Sequence, residues 1–294
     1  MNSEKQKWLL LAILSLIWGS SFILIKKSLE HFSPYQVGAL RVLIAGLFLM
    51  PVAWRNRKLF PRKNLPWLIV AALSGNFIPM FLFPIAETKV SSSIAGIVNS
   101  LMPIFVIIVG GLLWKIRAER RQVTGVVISF SGACLLMWSG SGTGTAEYFS
   151  IGLLLLATLL YAVSTTTVKA KLSELPAKLL SAFVFSFVLI GPSMLALVFS
   201  GFFHSFRVDA DHMAGLGIVA TLSVFGTGLA MMLNYRLLSI STPLFASTVT
   251  LLMPIVAVGW GMLDGERLTP IQSLGAAVII GGLLFLRQSS PRLK

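Results

Sequence analysis

The chain has 294 residues, of which 56% are hydrophobic and 12% are charged. A soluble domain carries about twice that charged fraction, so the composition excludes a soluble fold. The formal net charge of +14 would indicate nucleic-acid binding in a soluble protein. Membrane proteins, however, collect Lys and Arg on their cytoplasmic loops, so no nucleic-acid partner is expected. The single cysteine, Cys134, allows no intramolecular disulfide.

The charged residues fall in short clusters, and the stretches between them are about one membrane thickness long. A helix needs ~20 apolar residues to cross the hydrocarbon core, and the strands of a membrane barrel are much shorter than these stretches. In chain order the sequence predicts ten membrane-spanning helices, at about 8–27, 34–54, 65–87, 91–114, 121–139, 150–169, 178–201, 213–235, 243–263 and 269–287. The predicted fold class is therefore an all-α integral membrane protein, with the lipid bilayer as one partner.

The basic residues are distributed unequally between alternate loops. With the N-terminus placed in the cytoplasm, 18 of the 24 Lys and Arg residues fall on inner segments and 5 on outer segments, while Arg41 lies within the second helix. Cytoplasmic loops of membrane proteins carry such an excess. The sequence therefore predicts a multi-pass protein of the cell (inner) membrane with both termini cytoplasmic.

The two halves of the chain share short motifs at matching positions. Residues 101–104, Leu-Met-Pro-Ile, recur at 252–255, and Gly125 and Gly132 recur as Gly275 and Gly282. The first motif lies in the fourth predicted helix of each half. Because five helices is an odd number, the halves must run in opposite senses across the membrane. We expect two inverted five-helix repeats around a central cavity, with a first domain 1–139, a flexible linker 140–149 and a second domain 150–294.

Several motifs follow one another along the chain in a recognisable order. They are Trp18-Gly19-Ser20-Ser21-Phe22, then Arg41, the prolines Pro103 and Pro254, and the segment 261–269 followed by Gly275. Together they resemble the drug/metabolite transporter superfamily, specifically its EamA-type ten-helix exporters, and are similar to bacterial aromatic amino acid exporters. The resemblance implies alternating access for small metabolites, including amino acids. The first half departs from the pattern, since Lys115 stands where Glu266 stands in the second half.

Arg41 is a charged residue within a predicted span, and a buried arginine in a membrane must find acceptors in the bundle or in a cavity. One interpretation is an anchor for a substrate carboxylate. The other is structural: the guanidinium caps carbonyls of a broken helix or reaches outward to the membrane surface.

Polar and aromatic residues in mid-span are the other candidates for a substrate cavity. Polar groups in lipid are costly, so they should face inward. They could line a mostly apolar pocket, or they could only hydrogen-bond between helices. Pro103 and Pro254 could break helices and take part in gating, or merely kink them. The cavity candidates besides Arg41 are Trp18, Ser21, Asn76, Asn99, Tyr161, Ser164 and Thr250.

The acidic residues fall at predicted loops or helix ends, with Glu87 at the end of the third predicted helix, and the histidines lie near outer loops. A proton-driven transporter usually carries such a group within the membrane, so we expect facilitated export of amino acids or related amphipathic metabolites. We expect no metal, cofactor or enzymatic activity, because no metal-ligand spacing, phosphate loop or catalytic constellation occurs. A proton-coupled transporter of a sugar or drug-like metabolite, an intramembrane enzyme and a non-transporting receptor remain alternatives, and the oligomeric state is open.

Overall fold

The computed structural model describes residues 3–90, 92–116, 118–138, 148–263 and 270–287. Within these ranges the chain is helical and holds no strand. The prediction of an all-helical membrane fold is confirmed, with helix bounds within a few residues of those expected. Besides short helical segments at Arg57–Leu59, Arg62–Asn64 and Phe202–Ser205, ten longer helical stretches follow one another in the described residues: α1 Ser3–Ser28, α2 Pro34–Arg55, α3 65–87, α4 92–114, α5 Arg120–Trp138, α6 Tyr148–Lys171, α7 Ala177–Phe199, α8 Ala210–Ser239, α9 243–263 and α10 Pro270–Arg287.

The number of helices that satisfy a membrane-spanning criterion is smaller than predicted. Of the described helices, seven are long and apolar enough to cross a membrane, namely α1 to α4 and α6 to α8. α9 and α10 contain shorter apolar helices, Pro243–Val256 and Ser273–Phe285. The order of ten stretches therefore agrees with the sequence, although the count by length and apolarity is seven. The predicted linker falls almost entirely outside the described residues, as does the segment 264–269.

Five of the stretches are interrupted. α3, α7 and α8 each contain a wider π turn, at Leu73–Phe77, Phe183–Leu189 and Val224–Leu229. α4 is broken between Asn99 and Met102, and α9 is broken at Thr248. Such turns free backbone groups from the ordinary helical ladder and are frequent at functional sites. The interruptions in α3, α4, α8 and α9 all lie beside the cavity described below.

The same helix pairs pack together when the five helices of one half are exchanged for those of the other. α1 packs on α9 as α6 packs on α4, and α3 packs on α6 as α8 packs on α1. The helices that would map onto each other, α2 with α7 and α5 with α10, pack together directly. Exchange of each helix with the one five places later therefore preserves the packing, as a pair of related halves requires.

The contact between α5 and α10 shows this relation at atomic detail. A Cβ atom on Gly132 would lie 2.8 Å from the carbonyl oxygen of Gly275, and one on Gly282 would lie 2.7 Å from that of Gly125. Ser129 Oγ donates to the carbonyl of Ile279 at 3.1 Å. Because the two backbones approach this closely, only glycine fits at the two contact positions. The repeated glycines found in the sequence are thus a reciprocal helix-packing site.

Candidate functional site

A cavity lies in the middle of the bundle and is lined by residues of both halves. Its wall combines five aromatic side chains, four methionines and six uncharged polar side chains with a single charged residue, Arg41. The lining residues are Trp18, Ser21, Phe22, Ile25, Arg41, Gly75, Met80, Phe83, Asn99, Met102, Tyr161, Ser164, Thr165, Gly226, Met231, Asn234, Tyr235, Ala246, Thr250 and Met253. A mostly apolar concave site with a few polar groups is the usual form of a small-molecule pocket.

The cavity wall repeats itself between the two halves. On α1 and α6, lining residues occupy positions that differ by 143 in number, and on α3, α4, α8 and α9 they differ by 151. Sixteen of the twenty lining residues fall into eight such pairs. The pairs are Trp18 with Tyr161, Ser21 with Ser164, Phe22 with Thr165, Gly75 with Gly226, Met80 with Met231, Phe83 with Asn234, Asn99 with Thr250 and Met102 with Met253.

The π turns of α3 and α8 bring a glycine against a serine of the opposite half. A Cβ atom on Gly226 would lie 2.9 Å from Ser21 Oγ, and one on Gly75 would collide with Ser164 Oγ. Ser164 Oγ donates to the carbonyl of Ala71 at 3.0 Å. Close backbone approach is what glycine permits. The serines therefore mark equivalent points at which each half meets the other beside the cavity.

Arg41 breaks the symmetry of the cavity. It is 6% exposed, and its Nε donates to Thr227 Oγ1 in the π turn of α8 at 2.8 Å. The guanidinium makes no other hydrogen bond to the described residues, and it lies in electrostatic range of Tyr161 and Glu87. The position 143 residues later is Val184. The described wall therefore has one fixed positive charge, and its hydrogen bond goes to a side-chain hydroxyl and not to a backbone carbonyl.

Asn76 does not line the cavity, in contrast to its proposed role. It is fully buried, and its Nδ2 donates to Tyr235 Oη at 3.3 Å. Thr227, which holds Arg41, is its equivalent 151 residues later. In both halves, therefore, the same position of the π turn holds a lining side chain of the other half.

The other predicted cavity residues all lie on the wall. Trp18 packs its ring there while its Nε1 donates to the carbonyl of Gly226 at 2.9 Å. Tyr161 stacks on Phe83 with ring centroids 5.9 Å apart. Ser21, Asn99, Ser164 and Thr250 complete this group.

The two prolines have different local roles. Pro103 lies in the first turn of Met102–Trp114, where a missing N–H has no cost. Pro254 lies inside Val249–Leu263 and cannot donate to the carbonyl of Thr250. Ser100 Oγ donates to that carbonyl instead, at 3.2 Å. Each proline directly follows a methionine of the cavity wall.

Sequence reasoning missed much of the apolar wall, including Tyr235, Phe83 and the methionines. One signal was available: Met80 with Met231 and Met102 with Met253 are identical residues at the same offset of 151. The described lining holds no acidic residue or histidine, and no group of three His, Cys, Asp or Glu side chains suited to a metal occurs in the described part of the chain. The described wall therefore carries groups suited to ligand binding: one cation, hydroxyls, amides, thioethers and aromatic faces.

Comparison with known proteins agrees with this architecture. The model of the EamA-like transporter family matches residues 6–138 and again 148–288. An uncharacterized transporter of Archaeoglobus fulgidus is 27% identical over 281 residues, covering 95% of this chain and 97% of its own. A second one from that organism is 32% identical and covers 76% and 78%. The uncharacterized inner membrane transporter YedA of Escherichia coli K12 is 25% identical and covers 91% and 86%.

A solved crystal structure has the same fold. It superposes with a TM-score of 0.73 over 98% of this chain and 99% of its own, at 15% sequence identity. The family match, the related transporters and the seven described helices that are long and apolar enough to cross a membrane identify a multi-pass membrane transporter. The chain belongs to the EamA-like transporter family, within the drug/metabolite transporter superfamily, as the motifs around Trp18 and Arg41 suggested.

Proposed function

We propose that this protein moves small amphipathic metabolites that bear a carboxylate, amino acids or close relatives, across the inner membrane by alternating access. The observation that carries the proposal is the cavity wall, which repeats between the halves and holds one charge, Arg41. Walls related by a two-fold axis can open to either face of the membrane with similar lining.

The chemistry of the wall supports this substrate class. A guanidinium binds carboxylates through two parallel N–H donors, and Thr227 occupies only Nε of Arg41. The aromatic rings and methionines suit an apolar substrate body, since thioethers and rings adapt to flat side chains. An amphipathic acid would therefore place its carboxylate at Arg41 and its apolar part against the rings.

Direction and coupling form the second part of the proposal. The described lining has no acidic residue or histidine, so we infer transport down the gradient of the substrate, and the resemblance to EamA-type exporters favours export. The excess of basic residues on inner segments supports cytoplasmic termini. The name of YedA, an inner membrane transporter, supports the same membrane for this chain.

Counterflow in proteoliposomes tests this function. Vesicles preloaded with L-phenylalanine, L-leucine or D-glucose are given trace labelled compound, with empty liposomes as the blank. We expect exchange of at least one amino acid, and a loss of about 10- to 150-fold in Arg41→Gln, because hydrogen bonds to a charged group contribute ~1.5–3 kcal/mol. Arg41→Lys should keep part of the activity, and Cys134→Ala should keep all of it.

Counterflow, a binding measurement on the purified protein and an imposed pH gradient each have an outcome that would contradict the proposal. Binding without exchange would indicate a receptor, and equal exchange in Arg41→Gln would remove the carboxylate anchor. Accumulation driven by an imposed pH gradient would contradict facilitated export.

A further inference from the structure

Asn99 has an unusual environment for a buried amide. It is 5% exposed and lies on the cavity wall at the point where α4 is broken. Its Nδ2 donates to the sulfur of Met253 at 3.7 Å, while its Oδ1 is buried without a partner among the described residues. Turning the amide over would place the oxygen against the sulfur and lose that contact. The unpaired group is therefore an acceptor.

The neighbouring polar groups are already engaged. Thr250, the equivalent of Asn99, donates its hydroxyl to the carbonyl of Ser247 at 2.9 Å. Ser100 donates to the carbonyls of Gly96 and Thr250, at 2.8 and 3.2 Å. A buried acceptor without a partner costs ~1–3 kcal/mol, and these side chains do not offset that cost.

We propose that Asn99 Oδ1 accepts a hydrogen bond from an N–H or O–H group next to the carboxylate of the substrate. This inference rests on the proposed function and sharpens it. Arg41 can only donate, and Asn99 Oδ1 can only accept. The cavity thus selects α-amino and α-hydroxy acids over acids of the same shape that lack the donor, because rejection follows when a buried polar group is left unpaired.

Three probes with the same phenyl body separate the contributions. L-phenylalanine carries an ammonium group, L-3-phenyllactate carries a hydroxyl, and 3-phenylpropionate carries neither. Their dissociation constants are measured by calorimetry on the purified full-length protein in nanodiscs. For the wild type we expect the first two to bind about 5- to 150-fold more tightly than 3-phenylpropionate.

Two variants of Asn99 and one control complete the test. Asn99→Leu keeps the size of the side chain but removes the acceptor, so the ratio between the probes should fall to about one. Asn99→Asp should favour L-phenylalanine over L-3-phenyllactate, since a carboxylate attracts the ammonium. Thr158→Val removes a buried hydroxyl that bonds the carbonyl of Leu154 away from the cavity, and it should leave the ratio unchanged.

Failure of this inference can be told apart from failure of the transport function. Equal affinities of the wild type for all three probes, or an undiminished ratio in Asn99→Leu, would overturn the role of Asn99 while counterflow continued. Binding of none of the probes would overturn it together with the proposed substrate class. If Asn99→Leu does not fold, an unchanged preference in Asn99→Asp would still contradict the assignment.

Discussion

Among the described residues, one side chain of the opposite half, Thr227, accepts a hydrogen bond from Arg41. Thr227 Oγ1 accepts this hydrogen bond from Arg41 Nε at 2.8 Å and donates one to the carbonyl of Leu222 at 3.4 Å, across the π turn. A buried guanidinium is costly unless its donors find partners. Thr227 therefore supports the charge on which the proposed substrate site depends.

A substitution series at Thr227 measures this support. Thr227→Val removes the acceptor at nearly constant volume, and we expect it to cost ~1–3 kcal/mol because a buried charged donor loses its partner. Thr227→Ser keeps the hydroxyl and should cost much less. Unfolding of the detergent-purified proteins gives the comparison, and equal stability of Thr227→Val and wild type would show that Arg41 has another partner.

At the scale of residues, motifs and polarity identified part of the site. Trp18 stood out through the motif at residues 18–22, and Arg41 stood out because a charge within a membrane span is rare. Met80 and Tyr235 did not stand out, since a membrane helix is apolar on all sides and periodicity no longer marks the inner face. Asn76 was misplaced because a polar residue that faces inward can hold a neighbour as readily as it can face a cavity.

Among the helices, α5 and α10 depend on two glycines for their close approach. Gly282→Ala would place a methyl group 2.7 Å from the carbonyl oxygen of Gly125. We expect a loss of ~1–3 kcal/mol from such overpacking. Gly281 is the matched control, because a Cβ atom there meets nothing within 4 Å. Thermal unfolding of both variants decides the matter: equal effects of Gly281→Ala and Gly282→Ala would contradict the packing.

The N-terminus of α8 carries a pH-sensitive cap. Asp209 accepts from the backbone N–H of His212 at 2.8 Å and lies 2.8 Å from its Nδ1. These bonds, the backbone one first, hold the pKa of Asp209 below its usual range. A depressed carboxyl pKa contributes stability above the ordinary value, and that contribution disappears as the pH falls through the folded value.

Hydrogen exchange of the first turn of α8 checks this cap. Protection corrected for the intrinsic rate should decrease below about pH 4, where an ordinary Asp begins to protonate. Asp209→Asn should abolish that dependence and keep most of the protection, because an Asn side chain also caps helices. The same acid-induced loss in Asp209→Asn would assign the effect to another group.

Elements differed in how far the sequence specified them. Helix positions followed from the charge-free stretches, because lipid tolerates few charges whatever the detailed packing. The π turns of α3 and α8 have no comparable signal, since they depend on hydrogen bonds between helices, such as the one from Ser164 to Ala71. The pairing of Asn76 with Tyr235 and of Thr227 with Arg41 could therefore not be foreseen.

Across the whole molecule, the two ends of the bundle differ in the contacts that an equivalent lysine makes. Lys169 near the end of α6 donates to the carbonyls of Leu238 and Ser241, at 3.0 and 2.7 Å. It thereby ties α6 to the C-terminal end of α8, where free carbonyls attract a cation. Its equivalent 143 residues earlier is Lys26, which is exposed and makes no hydrogen bond to the described residues.

Alternating access between related halves predicts that one end opens when the other closes, so that the lysine contact moves from one end to the other. The positions equivalent to Leu238 and Ser241 are Glu87 and Val90, 151 residues earlier. When the end at Lys169 opens, Lys26 should approach the backbone at Glu87 and Val90. Two buried residues report on the ends: Ile25 lines the cavity, whereas its equivalent Val168 does not.

The central claim, that the halves exchange conformation around the cavity, is tested most directly by thiol labelling at Ile25→Cys and Val168→Cys in a Cys134→Ala background. With both lysines present, Ile25→Cys should react faster. Lys169→Met should speed labelling at Val168→Cys and slow it at Ile25→Cys. Lys26→Met should either leave both labelling rates unchanged or slow labelling at Val168→Cys and speed it at Ile25→Cys. Faster labelling at both sites in Lys169→Met, or no change at either, would contradict alternating access about this cavity.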